Sequence, residues 1–178
     1  MIQVYFGNIT AVDSDLLVNA SNGKGWMGGI VGRFIELRGV AESIHYIDYT
    51  IEKEAKKYCK LNKPKNGETF ITGSGKLPFT KGILHAITMK NKGMRSNEGI
   101  VRECAINIAK FCKENHINSV SIPLLGTGTG RVNIQSVLDI YLEYFRDHST
   151  LFKIVLLEDS SKIVSNWINE NKLSFEKE

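Results

Sequence analysis

Two glycine-rich segments hold the residue types that could grip a phosphate. The first, VNASNGKGWMGGIVGRFIEL (18–37), runs from an apolar, strand-like start through five glycines in ten residues and into a helical pattern. The second, PLLGTGTGRV (123–132), sets Gly126, Gly128 and Gly130 between an apolar strand and a helix start. Glycine lets a backbone approach a ligand closely and adopt positive φ. The N–H groups of such a loop, with a helix N-terminus behind them, form a ready anion site. One such loop is equally well a tight turn. Two, each between a strand and a helix, point to a phosphate-bearing ligand at the carboxyl ends of a sheet. Asn19, Ser21 and Asn22 stand just before the first run. Asparagine offers both donors and acceptors, which suits a sugar diol beside a diphosphate; the alternative is that these residues only cap turns.

Two familiar phosphate motifs fail on spacing. Gly23, Gly25 and Gly28 spell G-x-G-x-x-G, but Gly23 comes three residues after Ala20 and two helical segments follow. A dinucleotide fingerprint needs its first glycine directly after the strand and an acidic residue at the end of a second strand. Glu42 and Asp48 lie in a helical pattern instead, so a nicotinamide-dependent enzyme is not supported. FITGSGKL (70–77) would need glycine at Phe70 and Ser or Thr at Leu77 to be a Walker loop. His85, in ILHAIT, reads as a core histidine rather than a general base. No spacing of Cys, His, Asp or Glu suggests a metal site, and no cofactor is called for.

The elements that must position these loops alternate along the chain. Strands are expected at 2–6, 15–20, 68–73, 82–89, 119–125 and 152–158, and helices at 29–39, 41–60, 97–116, 133–147 and 161–172. In the 29–39 helix, Ile30, Phe34 and Leu37 would be spaced along one face. The pattern predicts an α/β fold, one domain over 1–178, with a mixed sheet of about six strands and helices on both faces. Composition agrees: 178 residues, 42% hydrophobic, 24% charged, with a net charge of +4. That mild basicity helps attract phosphates without indicating nucleic acid. The lysine-rich KKYCKLNKPK (56–65) leaves an RNA-binding patch open but lacks interleaved aromatics beyond Tyr58. Cys59, Cys104 and Cys112 leave one cysteine over in any disulfide scheme; Cys104 and Cys112, eight apart in a helical stretch, read as buried thiols, and a reducing compartment fits. With no signal peptide and no long apolar run, a cytoplasmic protein without a membrane partner is expected.

In order along the chain, GNIT (7–10), DLLVNASN (15–22), GGIVGRF (28–34), ITGSGKLPFTKGILHAIT (71–88) and SIPLLGTGTGRV (121–132) resemble the macrodomain family, an ADP-ribose-binding module of three α/β/α layers. The resemblance implies that ADP-ribose, free or carried by a macromolecule, lies across both glycine loops. Asn8 would accept from the adenine amino group, with Ile9 supplying a backbone contact. Asn22 would stand near the distal ribose. Gly28, Gly29, Ile30 and Val31 would form the first phosphate loop, and Gly126, Thr127, Gly128, Thr129 and Gly130 the second.

Departures from the family bear on catalysis. Val31 and Ile35 stand where one hydrolytic branch has an aspartate and a histidine, and Met89 and Gly130 stand where another has a lysine and an acid. Lys90, beside Met89, could replace that lysine only if the loop shifts by one residue. The resemblance therefore implies a binding module first. The alternative is a hydrolase that removes ADP-ribose from macromolecules, or an acyl or phosphate group from ADP-ribose derivatives, with Asn22 and Lys90 as its catalytic candidates.

Overall fold

A computed structural model describes residues 1–156 and 161–177. Seven strands form one sheet in the order β3-β4-β2-β5-β6-β1-β7. They are β1 (Ile2–Phe6), β2 (Leu16–Asn22), β3 (Thr69–Thr72), β4 (Ile83–Met89), β5 (Ser119–Ile122), β6 (Leu151–Leu156) and β7 (Ser174–Lys177). Only the β3–β4 pair is antiparallel, so the sheet is mixed, as expected. β7, which the sequence pattern does not announce, pairs with β1 as a parallel edge strand. Residues 157 and 158 of the expected last strand lie outside the described residues.

Interior parallel strands are covered on both faces, so their residues are apolar almost throughout and alternate between two cores. In β2, Leu16 and Val18 face one core while Leu17 faces the other. In β4, Leu84 and Ala86 join the first, and Ile83 and Ile87 the second. The first core is covered by α3 (Glu98–Glu114), α4 (Ile134–Phe145) and α5 (Ser161–Asn171). The second is covered by α1 (Val40–Ile47) and α2 (Thr50–Asn62). The result is the expected three-layer α/β/α arrangement. All three thiols are buried and unpaired, and burial pushes them up to about 11 for Cys59 and about 12 for Cys104 and Cys112.

Three expected elements differ. The 29–39 helix is only a 3₁₀ turn at Val31–Arg33, and Ile30 and Phe34 are each 77% exposed. Glycine at 28, 29 and 32 makes helix there costly, at about 1 kcal/mol per residue, and Gly29 takes a left-handed φ of 64°. The single helix expected over 41–60 breaks between α1 and α2, where Asp48 is extended. Its Oδ1 accepts from Thr50 N at 3.0 Å and Thr50 Oγ1 at 2.7 Å, and its Oδ2 accepts from Lys76 N at 3.1 Å. Although burial opposes the charge, these bonds hold the Asp48 carboxyl below its ordinary range. The strand expected over 119–125 stops at Ile122, because Pro123 has no N–H for the ladder.

His85, fully buried in β4, is the polar centre of the second core. Its Nε2–H donates to Thr72 Oγ1 at 2.9 Å, its Nδ1 accepts from Asn19 Nδ2 at 3.1 Å, and Phe70 stacks on the ring at 4.7 Å. Burial pushes its pKa down to about 3, so the ring is neutral, as the core reading requires. The unfolded chain, with an ordinary histidine near 6.5, takes up this proton first. Stability therefore falls as pH drops below that value. Denaturant unfolding should show this residue's share as a loss of about 1 kcal/mol between pH 6.5 and pH 5.5. His85→Gln should flatten that segment of the pH profile, and an unchanged slope would contradict the neutral buried ring.

Candidate ligand-binding site

The carboxyl ends of β2, β4, β5 and β6 open onto a cavity of about 650 Å³. Ser21 and Asn22 reach it from β2, Thr88 and Met89 from β4, and Val155 and Leu156 from β6. The second glycine loop, Gly126 to Gly130, forms another wall, and Arg38 to Glu42 at the start of α1 a further one.

The second loop is built to keep backbone donors free. Its root is tied down by Tyr141 of α4, whose hydroxyl donates to Pro123 O at 2.6 Å and accepts from Leu125 N at 3.0 Å. Thr127 Oγ1 donates to Leu124 O at 2.9 Å, and Val132 N donates to Gly126 O at 3.0 Å. A Cβ at Gly130 would fall 2.5 Å from Gly126 O, so the closure of this loop admits only glycine there. The N–H groups of Gly128, Thr129 and Gly130 donate to no described residue. Three successive unpaired amides on a cavity wall form a concave cradle for an anion.

The first loop is spent differently. Glu52 of α2, whose side chain is 5% exposed, accepts from Met27 N through Oε1 and from Gly29 N through Oε2, both at 3.2 Å. Lys56 Nζ lies 2.6 Å from Oε1 and His45 Nδ1 lies 2.8 Å from Oε2. His45 Nε2 donates to Gly29 O at 2.8 Å, and a Cβ at Gly28 would fall 2.8 Å from the His45 ring. Gly28, Gly29, Ile30 and Val31 do not line the cavity. In this structure the first loop is fastened to α1 and α2 because its Gly29 donor is already satisfied by a buried carboxylate.

The remaining expected residues divide in the same way. Asn22 lines the cavity, but its Oδ1 accepts from Lys24 N at 3.1 Å and Trp26 N at 3.3 Å, and its Nδ2 donates to Trp26 O at 2.8 Å. It thus holds Trp26 on the cavity wall, where Lys92 Nζ sits 4.2 Å above the indole ring. Ser21 also lines the cavity, and its buried hydroxyl has no partner among the described residues. Asn19 lies below, bonded to His85. Asn8 is exposed and off the wall, its Oδ1 accepting from Thr10 N and Oγ1 in a local turn, and Ile9 is buried in the second core. Lys90 lines a neighbouring groove instead of the cavity.

Sequence reasoning missed Arg38, Glu42 and Lys92 as wall residues. No local motif marks them; the fold brings them to one place. Glu42 is the one carboxylate on the wall among the described residues, and burial raises its carboxyl above the ordinary value. Among the described residues, no cluster of three or more His, Cys, Asp or Glu could hold a metal, and no helix is long and apolar enough to cross a membrane.

Comparison with known proteins agrees with this architecture. An uncharacterized protein of Aquifex aeolicus is 33% identical over 168 residues, covering 93% of this chain and 94% of that one. An O-acetyl-ADP-ribose deacetylase of Salmonella typhimurium is 27% identical, with 80% of each chain covered. The crystal structure of a Trypanosoma brucei macrodomain in complex with ADP-ribose superposes with a TM-score of 0.71 at 20% identity, covering 94% of this chain and 68% of that one. Residues 18–141 match the Macro domain family model, which takes in both glycine loops and the strands that present them, and the chain belongs to that family.

Proposed function

We propose that this chain, folded as one domain, binds ADP-ribose, free or as a mono-ADP-ribosyl group on a macromolecule. The observation that carries the reading is the row of N–H groups at Gly128, Thr129 and Gly130, which donate to no described residue, on the wall of a nucleotide-sized cavity. A diphosphate there would accept from all three, and hydrogen bonds to a charged acceptor are worth about 1.5–3 kcal/mol each. Val155 and Leu156 offer an apolar wall to the base. Trp26, held by Asn22 and carrying Lys92 on its face, covers the ribose at the β4 end. Asn8, engaged with Thr10, serves its own turn more directly than it serves adenine. The three buried thiols fit a reducing, cytoplasmic setting.

Glu42 favours a second reading, hydrolysis of an ADP-ribose ester, the reaction class in the name of the Salmonella relative. Val31 and Ile35 are exposed and outside the cavity, and Lys90 points to the neighbouring groove, so Glu42 is the acid–base group at hand. A raised carboxyl on the wall suits general acid–base work.

Calorimetry tests the first reading and a turnover assay the second. Gly128 has open space around an added Cβ, so Gly128→Glu should keep unfolding free energy within about 0.5 kcal/mol. Its carboxylate would then meet the diphosphate, and ADP-ribose affinity should fall at least about 100-fold. Unchanged affinity would remove the second loop from the site. If purified protein deacetylates O-acetyl-ADP-ribose, Glu42→Gln should abolish turnover while binding persists. Retained turnover would exclude Glu42 as the acid–base group.

A further inference from the structure

Ile30, Val31, Phe34 and Ile35 place four large apolar side chains, each more than half exposed, within six residues of the first loop. Tyr46, Ile47 and Tyr49, at the end of α1 and the turn into α2, are each more than a third exposed. Half of the large apolar side chains that stand exposed among the described residues, seven of fourteen, therefore fall within 30–49. The two groups are joined: the Arg33 guanidinium lies 4.3 Å above the Tyr49 ring, and Lys53 Nζ lies 4.8 Å from the centre of that ring. Single exposed apolar residues need no explanation, but a contiguous patch marks an interaction surface.

The patch is fixed in place rather than waiting to fold inward. Gly29 is bonded through its N–H to Glu52 and through its carbonyl to His45. A Cβ at Gly28 or Gly32 would fall 2.8 or 3.0 Å from the His45 ring, so the turn lies directly against α1. Glu36 Oε1 accepts from Ser43 Oγ at 3.0 Å, which fastens the far end of the segment to the same helix. The backbone is thus held at both ends while its apolar side chains face water. A surface that needs no reordering avoids much of the entropic cost of association.

We infer that this face pairs with the same face of a second copy of this chain, in a two-fold dimer. Charge is the first argument. Arg33 and Glu36 are exposed, flank Phe34 and Ile35, and have no ion-pair partner among the described residues. Across a two-fold axis residue i meets j and j meets i, so Glu36 of each copy meets Arg33 of the other on either side of an apolar centre. An anionic membrane surface would favour a rim of cations only, which Glu36 breaks. Area is the second argument. Seven side chains of this size and exposure present an apolar surface on the order of 500 Å². A standard interface covers about 800 Å² on each partner and is about three-fifths apolar, so the patch with its charged rim matches one half of such a dimer. The face is separate from the proposed ADP-ribose site, because Ile30, Val31, Phe34 and Ile35 do not line the cavity.

Sedimentation of the purified chain without ligand tests the pairing. Its mass should rise from one chain toward two between about 1 μM and about 1 mM, as a modest interface requires. Phe34→Ser removes a fully solvated group, so the denaturant midpoint should stay unchanged, yet the dimer should weaken at least about tenfold. Arg33→Glu and Glu36→Arg should each weaken it at least about threefold, and the two exchanges together should restore it to within about twofold. A single-chain mass at every concentration, or a dimer indifferent to Phe34→Ser, overturns the inference. Failure of the paired exchange to restore what each single change loses overturns the contact between Arg33 and Glu36. A single-chain mass combined with binding to vesicles of anionic phospholipid, lost in Phe34→Ser, would assign the face to a membrane instead.

Discussion

Glu52 reaches from the second helix into the base of the first glycine loop and takes hydrogen bonds from Met27 and Gly29. A carboxylate so deeply buried is costly unless its oxygens are satisfied. Here Lys56, His45 and the two backbone donors surround it. Burial works against its charge, yet the hydrogen bonds of Lys56 and Met27 and the nearby Lys56 ammonium hold its carboxyl below the ordinary range. The consequence reaches beyond stability. By satisfying the Gly29 donor, Glu52 draws the first loop toward the helices and leaves the cavity to the second loop.

The second loop reaches the opposite outcome with equally few contacts. Tyr141 fixes its root, Gly126 turns it with a left-handed φ of 75°, and Gly130 allows the return strand to touch Gly126 O. Between these anchors, three consecutive N–H groups find no acceptor among the described residues. Gly128 and Thr129 are exposed at the cavity, so these donors face solvent and are open to a bound anion. Asn22, Trp26 and Lys92 extend the same wall toward the end of β4, beside the neighbouring groove that Lys90 lines.

Much of this was legible in the residues. The apolar runs of β2 and β4 announce interior parallel strands, and Pro123 followed by alternating glycines marks a loop at a strand's carboxyl end. Asn22 stands where the strand gives way to that kind of loop. Other features depend on contacts distant in sequence. Glu52 looks like any polar residue on an amphipathic helix until the fold sets it under Gly29. Ile30 and Phe34 have helical spacing, but the surrounding glycines and the Glu52 tether keep them from closing onto the core. Four-residue β7 is too short and polar to signal itself, and it exists because β1 offers it an edge. The lysines of α2 read as a solvated helix end, since only topology brings Lys24 and Lys90 to them around the neighbouring groove.

The most direct measurement is a titration of isotope-labelled protein with ADP-ribose, followed through backbone amide resonances. The amides of Gly128, Thr129 and Gly130 should move furthest, as free donors gain a phosphate acceptor. Those of Met27 and Gly29, already bonded to Glu52, should move little. The reverse pattern, with the first loop shifting and the second silent, would contradict the assignment of the diphosphate to the second loop.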